Sequence, residues 1–289
     1  MTPEKSTIQM SDGAELNLLS AGSGPPLLML PGWSQSAAMF KHQLAELSDS
    51  MRVLALDPRG HGDSSNVRDG YTIDQMTTDL REVIESLDLT DVTLLGHSLS
   101  NTFFWLYGQQ FNYERIKRMV IADQSPVLCT NLEMSPEEQR RAGVVFTPRQ
   151  LEETCSNFRA SAAASDDGAK SRKATQGMIA PMFSPDISES EFEWALQENL
   201  KFPRDLAAEL LHDGSLRDWR DVIAAIELPT LVIGGRKSVV PWQSQEWIGQ
   251  QIRGARTVIL TEEECGYHFA FLQNPVRFNQ EVRSFCKST

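Results

Sequence analysis

Short, mostly apolar runs separated by amphipathic helical stretches dominate this chain, and that alternation limits the folds open to it. The runs occupy residues 27–30, 52–56, 92–95, 119–122, 230–233 and 257–260. Runs this short and continuous suit strands of a parallel sheet, which is buried on both faces. The stretches between them carry the helical period. Ile73, Met76, Leu80, Val83, Ile84 and Leu87 fall on one face of a helix over 73–87, with Thr72 as its N-cap. Strand alternating with helix predicts an α/β architecture built on a doubly wound, mostly parallel sheet. A hairpin precedes it, from residues 7–10 through an Asp12-Gly13 turn to residues 16–21.

The rhythm breaks between residues 126 and 228. Helical patterns occur there (136–142, 149–158, 189–200 and 205–212), but no strand pattern does. Ser188, with Glu191 three residues on, marks a capping box. Residues 160–173 are small and polar and read as a mobile loop. The expected organisation is therefore a core of residues 1–125 and 229–289, with residues 126–228 inserted as a helical cap. The closing helices span 242–251 and 275–286.

Charge and cysteine usage exclude several classes of partner. The 289 residues carry 27 basic and 39 acidic side chains, a net charge of −12. An acidic chain is poorly suited to nucleic acid, whose binding rests on clustered Lys and Arg, or to an anionic membrane. Four widely spaced cysteines read as free thiols of a reducing compartment. The opening MTPEKSTIQMSDG has no apolar stretch of signal-peptide type, and no run approaches the about 18 apolar residues of a membrane span. The expectation is a soluble cytoplasmic protein of undetermined oligomeric state. The five histidines are scattered and no glycine-rich phosphate loop follows a strand, so no metal or cofactor is expected.

The most informative local sequence is Val92-Thr93-Leu94-Leu95 running into Gly96-His97-Ser98-Leu99-Ser100, with a helical segment at once beyond. A strand-to-helix turn this sharp lifts the serine hydroxyl above the sheet edge and leaves the first helical amides free to face negative charge. The pattern is G-x-S-x-S, because Ser100 stands where a closing glycine is usual. The bland alternative is a serine that only caps a helix.

Three further segments follow strands: Leu30-Pro31-Gly32-Trp33, the loop Asp57-Pro58-Arg59-Gly60-His61-Gly62-Asp63-Ser64, and Gly266-Tyr267-His268-Phe269 before a final helix opened by Asn274-Pro275. In this order the motifs resemble the α/β-hydrolase superfamily over residues 7–125 and 229–286. The resemblance implies that Ser98 is the nucleophile, His268 the base, and the amides of Trp33 and Leu99 the oxyanion hole. It makes residues 57–64 a structural loop, and His61 a structural residue. His97 is set aside because neighbouring side chains on an elbow diverge.

The superfamily usually places its acid after the strand at 230–233, but residues 234–241 contain no carboxylate. A lysine there cannot accept the histidine N–H. Asp123, at the end of the 119–122 run, lies at the same sheet edge as Ser98 and His268. Some members of the superfamily place their acid there, certain dehalogenases and cofactor-free ring-cleaving dioxygenases among them. Asp123 is the chosen acid, and Glu262, Glu263 and Glu264 are its competitors.

Two chemistries use these residues. In the first, Ser98, His268 and Asp123 hydrolyse an ester, lactone or related carbonyl of a small hydrophobic substrate. In the second, similar to the cofactor-independent dioxygenases that cleave 3-hydroxy-4-quinolone rings, a His–Asp dyad deprotonates the substrate, dioxygen attacks the anion, and the serine only hydrogen-bonds. A resemblance to cofactor-free haloperoxidase-like hydrolases implies the serine triad again. A non-catalytic ligand-binding protein on the same fold is the reading of a different class.

Overall fold

Eight strands form one sheet in the order β1-β2-β4-β3-β5-β6-β7-β8. They are β1 (Glu4–Gln9), β2 (Glu15–Ala21), β3 (Pro26–Leu30), β4 (Arg52–Leu56), β5 (Val92–His97), β6 (Ile116–Ala122), β7 (Thr230–Gly235) and β8 (Arg256–Leu260). The computed structural model describes residues 2–130 and 132–287. From β4 to β8 neighbouring strands are parallel, while the β1–β2 hairpin joins β4 antiparallel. All six apolar runs of the sequence are strands of this sheet. Their side chains divide between two apolar clusters, as expected for a sheet covered on both faces: Leu28, Leu54 and Leu94 enter one, Leu27, Val53 and Leu95 the other.

The helices fit their sequence signals unevenly. The helix α1 (Ile73–Ser86) begins as expected, with Gln75 N–H donating to Thr72 Oγ1 at 3.3 Å. Between β6 and β7 run α2 (Pro136–Ala142), α3 (Pro148–Ala162), α4 (Ala169–Ile179), α5 (Glu189–Leu200), α6 (Arg204–Ser215) and α7 (Arg220–Ala224). No strand occurs in that stretch among the described residues, only two isolated bridges. The mobile loop expected over 160–173 is not what the structure shows. Most of it is helix, because Thr175 and Ile179 bury one face of α4 and Asp166 Oδ2 accepts from Lys170 N–H at its start. The capping box at Ser188 is half made: its side chain accepts from Glu191 N–H, but the Glu191 carboxylate goes to Lys41 instead.

Sheet order fixes where a site can form. The chain leaves β3 for β4 on one side, then returns to β5 on the other, so the order reverses between β3 and β5. Crevices in open α/β sheets form at such a reversal, outside the carboxyl ends of the strands. The segments leaving β3 and β5 there are Gly32-Trp33 and the Ser98 turn.

Candidate active site

Ser98 stands at the junction of β5 and the helix that follows it (Asn101–Phe111), with a backbone φ of 52°. A non-glycine residue in the left-handed region is strained by about 1–3 kcal/mol and persists only where its surroundings hold it. Here Asn101 Nδ2 donates to the carbonyls of Gly96 (3.0 Å) and Ser98 (2.9 Å). Ser100, in place of the usual closing glycine, is fully buried and donates its hydroxyl toward the carbonyls of Leu30 (2.8 Å) and His97 (3.0 Å). The serine thus ties the turn to the end of β3 and spends its polar atom doing so.

Asp123 is the counterpart of Ser98 on the next strand. His97 and Ala122 are register partners in β5 and β6, so Ser98 and Asp123 leave the sheet at the same level. Both have a φ of 52°. The backbone N–H of Asp123 donates to Ile233 O at 2.8 Å, which turns its side chain off the strand end. His268 Nδ1–H then donates to Asp123 Oδ2 at 2.6 Å, with both side chains almost wholly buried. A second donor reaches the same oxygen: the hydroxyl of Ser238, which also lies 3.5 Å from His268 Nδ1 and accepts Val240 N–H at 3.1 Å. Ser238 lies in the stretch after β7 where a carboxylate was sought and is absent. Its position was visible in the sequence; its role was not, because a hydroxyl there carries no chemical signature.

Two of the three glutamates that competed with Asp123 are engaged elsewhere, and none of the three is bonded to His268 among the described residues. Glu262 pairs with Lys237 at 3.0 Å and Glu264 with Arg277 at 2.9 Å. His61 is buried, faces Arg59 O through Nδ1 (3.0 Å) and packs on Phe202. Burial holds its pKa down to about 4. His97 departs from the expectation that it diverges from the site. Its ring lies 4.6 Å from that of His268, with Nε2 2.8 Å from the His268 carbonyl and Nδ1 2.9 Å from Gln35 Oε1. Both neighbours are acceptors, so a neutral ring satisfies one at a time. Burial, with His268 nearby, pushes the pKa of His97 well down.

The turn after β3 is built around Gly32. Gln35 N–H donates to Gly32 O (3.1 Å), Gln35 Oε1 accepts Gly32 N–H (3.0 Å), and Ser34 adopts φ 66°. A Cβ on Gly32 would lie within 3 Å of Gln35 Nε2, Ser98 Cβ and the His97 carbonyl. Only glycine lets the two turns approach this closely. Trp33 N–H, next in the chain, donates to no acceptor among the described residues. Leu99 N–H opens a helical turn, where amides have no partner within the turn.

Ser98, Leu99, Trp33 and His268 meet at a cavity of about 60 Å³. Its other walls are mostly apolar: Val239, Val240 and Phe269 come from the sheet side, and Leu128, Phe146, Met178, Met182 and Leu211 from the segment between β6 and β7. Hydrogen bonds tie that segment to the site, among them Trp33 Nε1–H to Ala207 O (2.6 Å), Ser34 Oγ–H to Asn199 O (2.9 Å), and His268 N–H to Met182 O (3.2 Å). No hydrogen bond joins Ser98 Oγ to His268 among the described residues; Nε2 is the imidazole nitrogen that Asp123 leaves free.

Comparison with known proteins agrees with this architecture. The family model for the alpha/beta hydrolase fold matches residues 25–275. The chain belongs to the α/β-hydrolase fold family. Within it, the chain is 24% identical to the AB hydrolase superfamily protein YisY of Bacillus subtilis, over 97% of this chain and 98% of that protein. It is 32% identical to a non-heme chloroperoxidase of Kitasatospora aureofaciens, over 44% of this chain and 46% of the relative, so that match spans about half the relative's length. Among solved α/β-hydrolase-like structures, a bromoperoxidase from Bacillus anthracis superposes with a TM-score of 0.86 at 22% identity, covering 99% of this chain and 100% of that one. An esterase from Exiguobacterium antarcticum gives 0.84 at 24%, with the same coverage. At these identities the structural likeness establishes the fold.

Proposed function

We propose that this α/β-hydrolase hydrolyses an ester, lactone or related carbonyl of a small hydrophobic compound through Ser98, His268 and Asp123. The observation that carries the reading is the strained Ser98 turn opening, together with His268, onto one apolar cavity. His268 Nε2 takes the Ser98 proton as Oγ attacks the carbonyl carbon. The oxygen of that carbonyl gains the negative charge, which the N–H groups of Trp33 and Leu99 face. Collapse of the tetrahedral species expels the alcohol, which leaves with the proton held by His268. Water, deprotonated by His268, then attacks the acyl–Ser98 ester and releases the acid. Asp123 fixes the imidazole with its proton on Nδ1 and stabilises the imidazolium, and the Ser238 hydroxyl holds the carboxylate in place.

Residues 126–228 act as a cap that sets the acyl-chain preference, since they supply the apolar wall opposite Ser98. Free thiols at all four cysteines support a cytoplasmic setting. The test is turnover of p-nitrophenyl esters of increasing chain length by the wild type and Ser98→Ala. Ester turnover that vanishes with the hydroxyl is expected. Turnover that survives in Ser98→Ala would sink the triad.

One observation favours the second reading, a cofactor-independent dioxygenase acting on a 3-hydroxy-4-quinolone-type ring. The Asp123–His268 bond is fully made, while Ser98 Oγ bonds to neither. A dyad alone suffices to deprotonate such a substrate. Oxygen uptake on a hydroxyquinolone that needs His268 but not Ser98 is its signature.

A further inference from the structure

Gln35 carries a buried amide whose two ends have different surroundings. Its Oε1 accepts from Gly32 N–H at 3.0 Å and lies 2.9 Å from His97 Nδ1. Since Gly32 N–H is a donor in every protonation state, it fixes the orientation of the amide, with oxygen toward Gly32 and nitrogen away from it. That nitrogen, Nε2, donates to no group among the described residues, and Gln35 as a residue is 2% exposed. Gln35 lines the same cavity as Ser98 and His268. The distances from an imagined Cβ on Gly32, 2.7 Å to Gln35 Nε2 and 2.8 Å to Ser98 Cβ, show that the two flank one small space.

An amide N–H₂ that opens on a cavity and has no acceptor within the protein offers its hydrogen bond to an oxygen that arrives there. None of the polar groups in the cavity wall accepts a hydrogen bond from Nε2 among the described residues, and no lysine or arginine lines the cavity. What fits is an oxygen of the substrate beside Ser98, on the side of the Trp33 amide.

We infer that Gln35 Nε2 is a third donor to the carbonyl oxygen of the substrate, so that a neutral carbonyl compound meets three uncharged N–H donors at this site. The inference rests on the hydrolase reading above. It makes Gln35 a catalytic residue: the bond is weak to a ground-state carbonyl and strengthens as that oxygen becomes an oxyanion.

The experiment compares wild type, Gln35→Glu and Gln35→Met at pH 8. Each is assayed on a p-nitrophenyl ester and titrated with an alkyl trifluoromethyl ketone, which adds to a serine to give a tetrahedral oxyanion. Gln35→Glu keeps an acceptor for Gly32 and His97 but removes the donor; Gln35→Met removes both. The expected result is that both variants lose kcat by about 100-fold with KM changed little, and that both bind the ketone about 100-fold more weakly. If Gln35→Glu restores what Gln35→Met loses, the residue only holds the Gly32 turn and the inference is overturned. Undiminished ketone affinity in both variants overturns it too. A wild type that neither turns over esters nor binds the ketone defeats the hydrolase reading instead, a different result. Circular dichroism melts of each variant separate these losses from failure to fold.

Discussion

Asp123 Oδ2 lies 2.6 Å from His268 Nδ1 across 145 residues of sequence, and the sheet register brings them there. β6 ends one residue before Asp123, level with the end of β5, while β7 and β8 carry the later chain to the same edge. The imidazole N–H and the Ser238 hydroxyl, which arrives from beyond β7, both donate to Asp123 Oδ2, so two donors converge on one carboxylate oxygen.

Replacing that carboxylate by an amide tests its charge without changing its size. Asp123→Asn lowers kcat on a p-nitrophenyl ester by about 1,000-fold and leaves KM and the melting temperature nearly unchanged. The amide cannot hold the Nδ1–H tautomer or stabilise the imidazolium. A loss under tenfold in steady-state kinetics removes Asp123 from the acid role.

Ser238 acts through Asp123 and has a smaller effect. Ser238→Ala lowers kcat by roughly tenfold at unchanged KM, the value of about one charge-assisted hydrogen bond of 1.5 kcal/mol. The lost bond is the one that aims the carboxylate. The Asp123→Asn/Ser238→Ala double variant then falls no further than Asp123→Asn alone, since the two residues form one unit. Additive losses in the four-member cycle contradict this.

The architecture was legible because its strands are apolar on both faces, as Leu27–Leu30 pair with strands on either side and are wholly covered. The first strand was placed late, at 7–10 instead of Glu4–Gln9, because its side chains are almost all exposed and only pairing with β2 defines it. Helix α4 was missed for a related reason: a polar, alanine- and lysine-bearing stretch becomes helical when neighbours cover two or three of its residues. At the site, Ser98, His268 and Asp123 carry residue types and strand-end positions that sequence can show. Gln35 and Ser238 do not. Their parts depend on which way an amide faces and which oxygen a hydroxyl meets, and neither leaves a periodicity.

The loop from Asp57 to Ser64 holds two buried groups with opposite pH dependences. His61 is depressed to about 4 by burial, so the unfolded chain binds its proton first, and stability is lost as pH falls from about 6.5 toward 4. Asp57 is raised to about 6, again by burial, so the folded state holds its proton longer, and stability is lost as pH rises from about 4 to 6. Each contribution is on the order of 3 kcal/mol, and over the shared window they largely cancel. Urea unfolding from pH 4 to 7 therefore gives Asp57→Asn a steeper rise of stability with pH than wild type, and His61→Gln a shallower rise or a fall. Parallel profiles for all three proteins refute the opposition.

Gly177 is exposed within helix α4, and a Cβ there meets nothing within 4 Å. Glycine inside a helix costs about 0.8–1.0 kcal/mol relative to alanine through the freedom it keeps in the unfolded chain. Gly177→Ala therefore raises the unfolding free energy by roughly that amount, and ester turnover stays at the wild-type rate. Chemical denaturation checks the first and initial rates the second.

Gly32→Ala makes the same chemical change at a position with no room. The new methyl group would lie 2.7 Å from Gln35 Nε2, 2.8 Å from Ser98 Cβ and 2.9 Å from the His97 carbonyl. Ser98 and His97 belong to a turn pinned by Asn101 and Ser100, so they cannot withdraw. The Gln35 amide is the softest of the three, but moving it breaks its bond to Gly32 N–H. The strain therefore falls on the Gly32–Trp33 backbone, at a cost of about 1–3 kcal/mol, and carries the Trp33 N–H away from Ser98. A displacement of that amide weakens the transition state more than the bound substrate, so kcat falls by about 100-fold while KM moves little. A stable Gly32→Ala protein with wild-type kcat would mean that the Trp33 amide does not face the reacting oxygen.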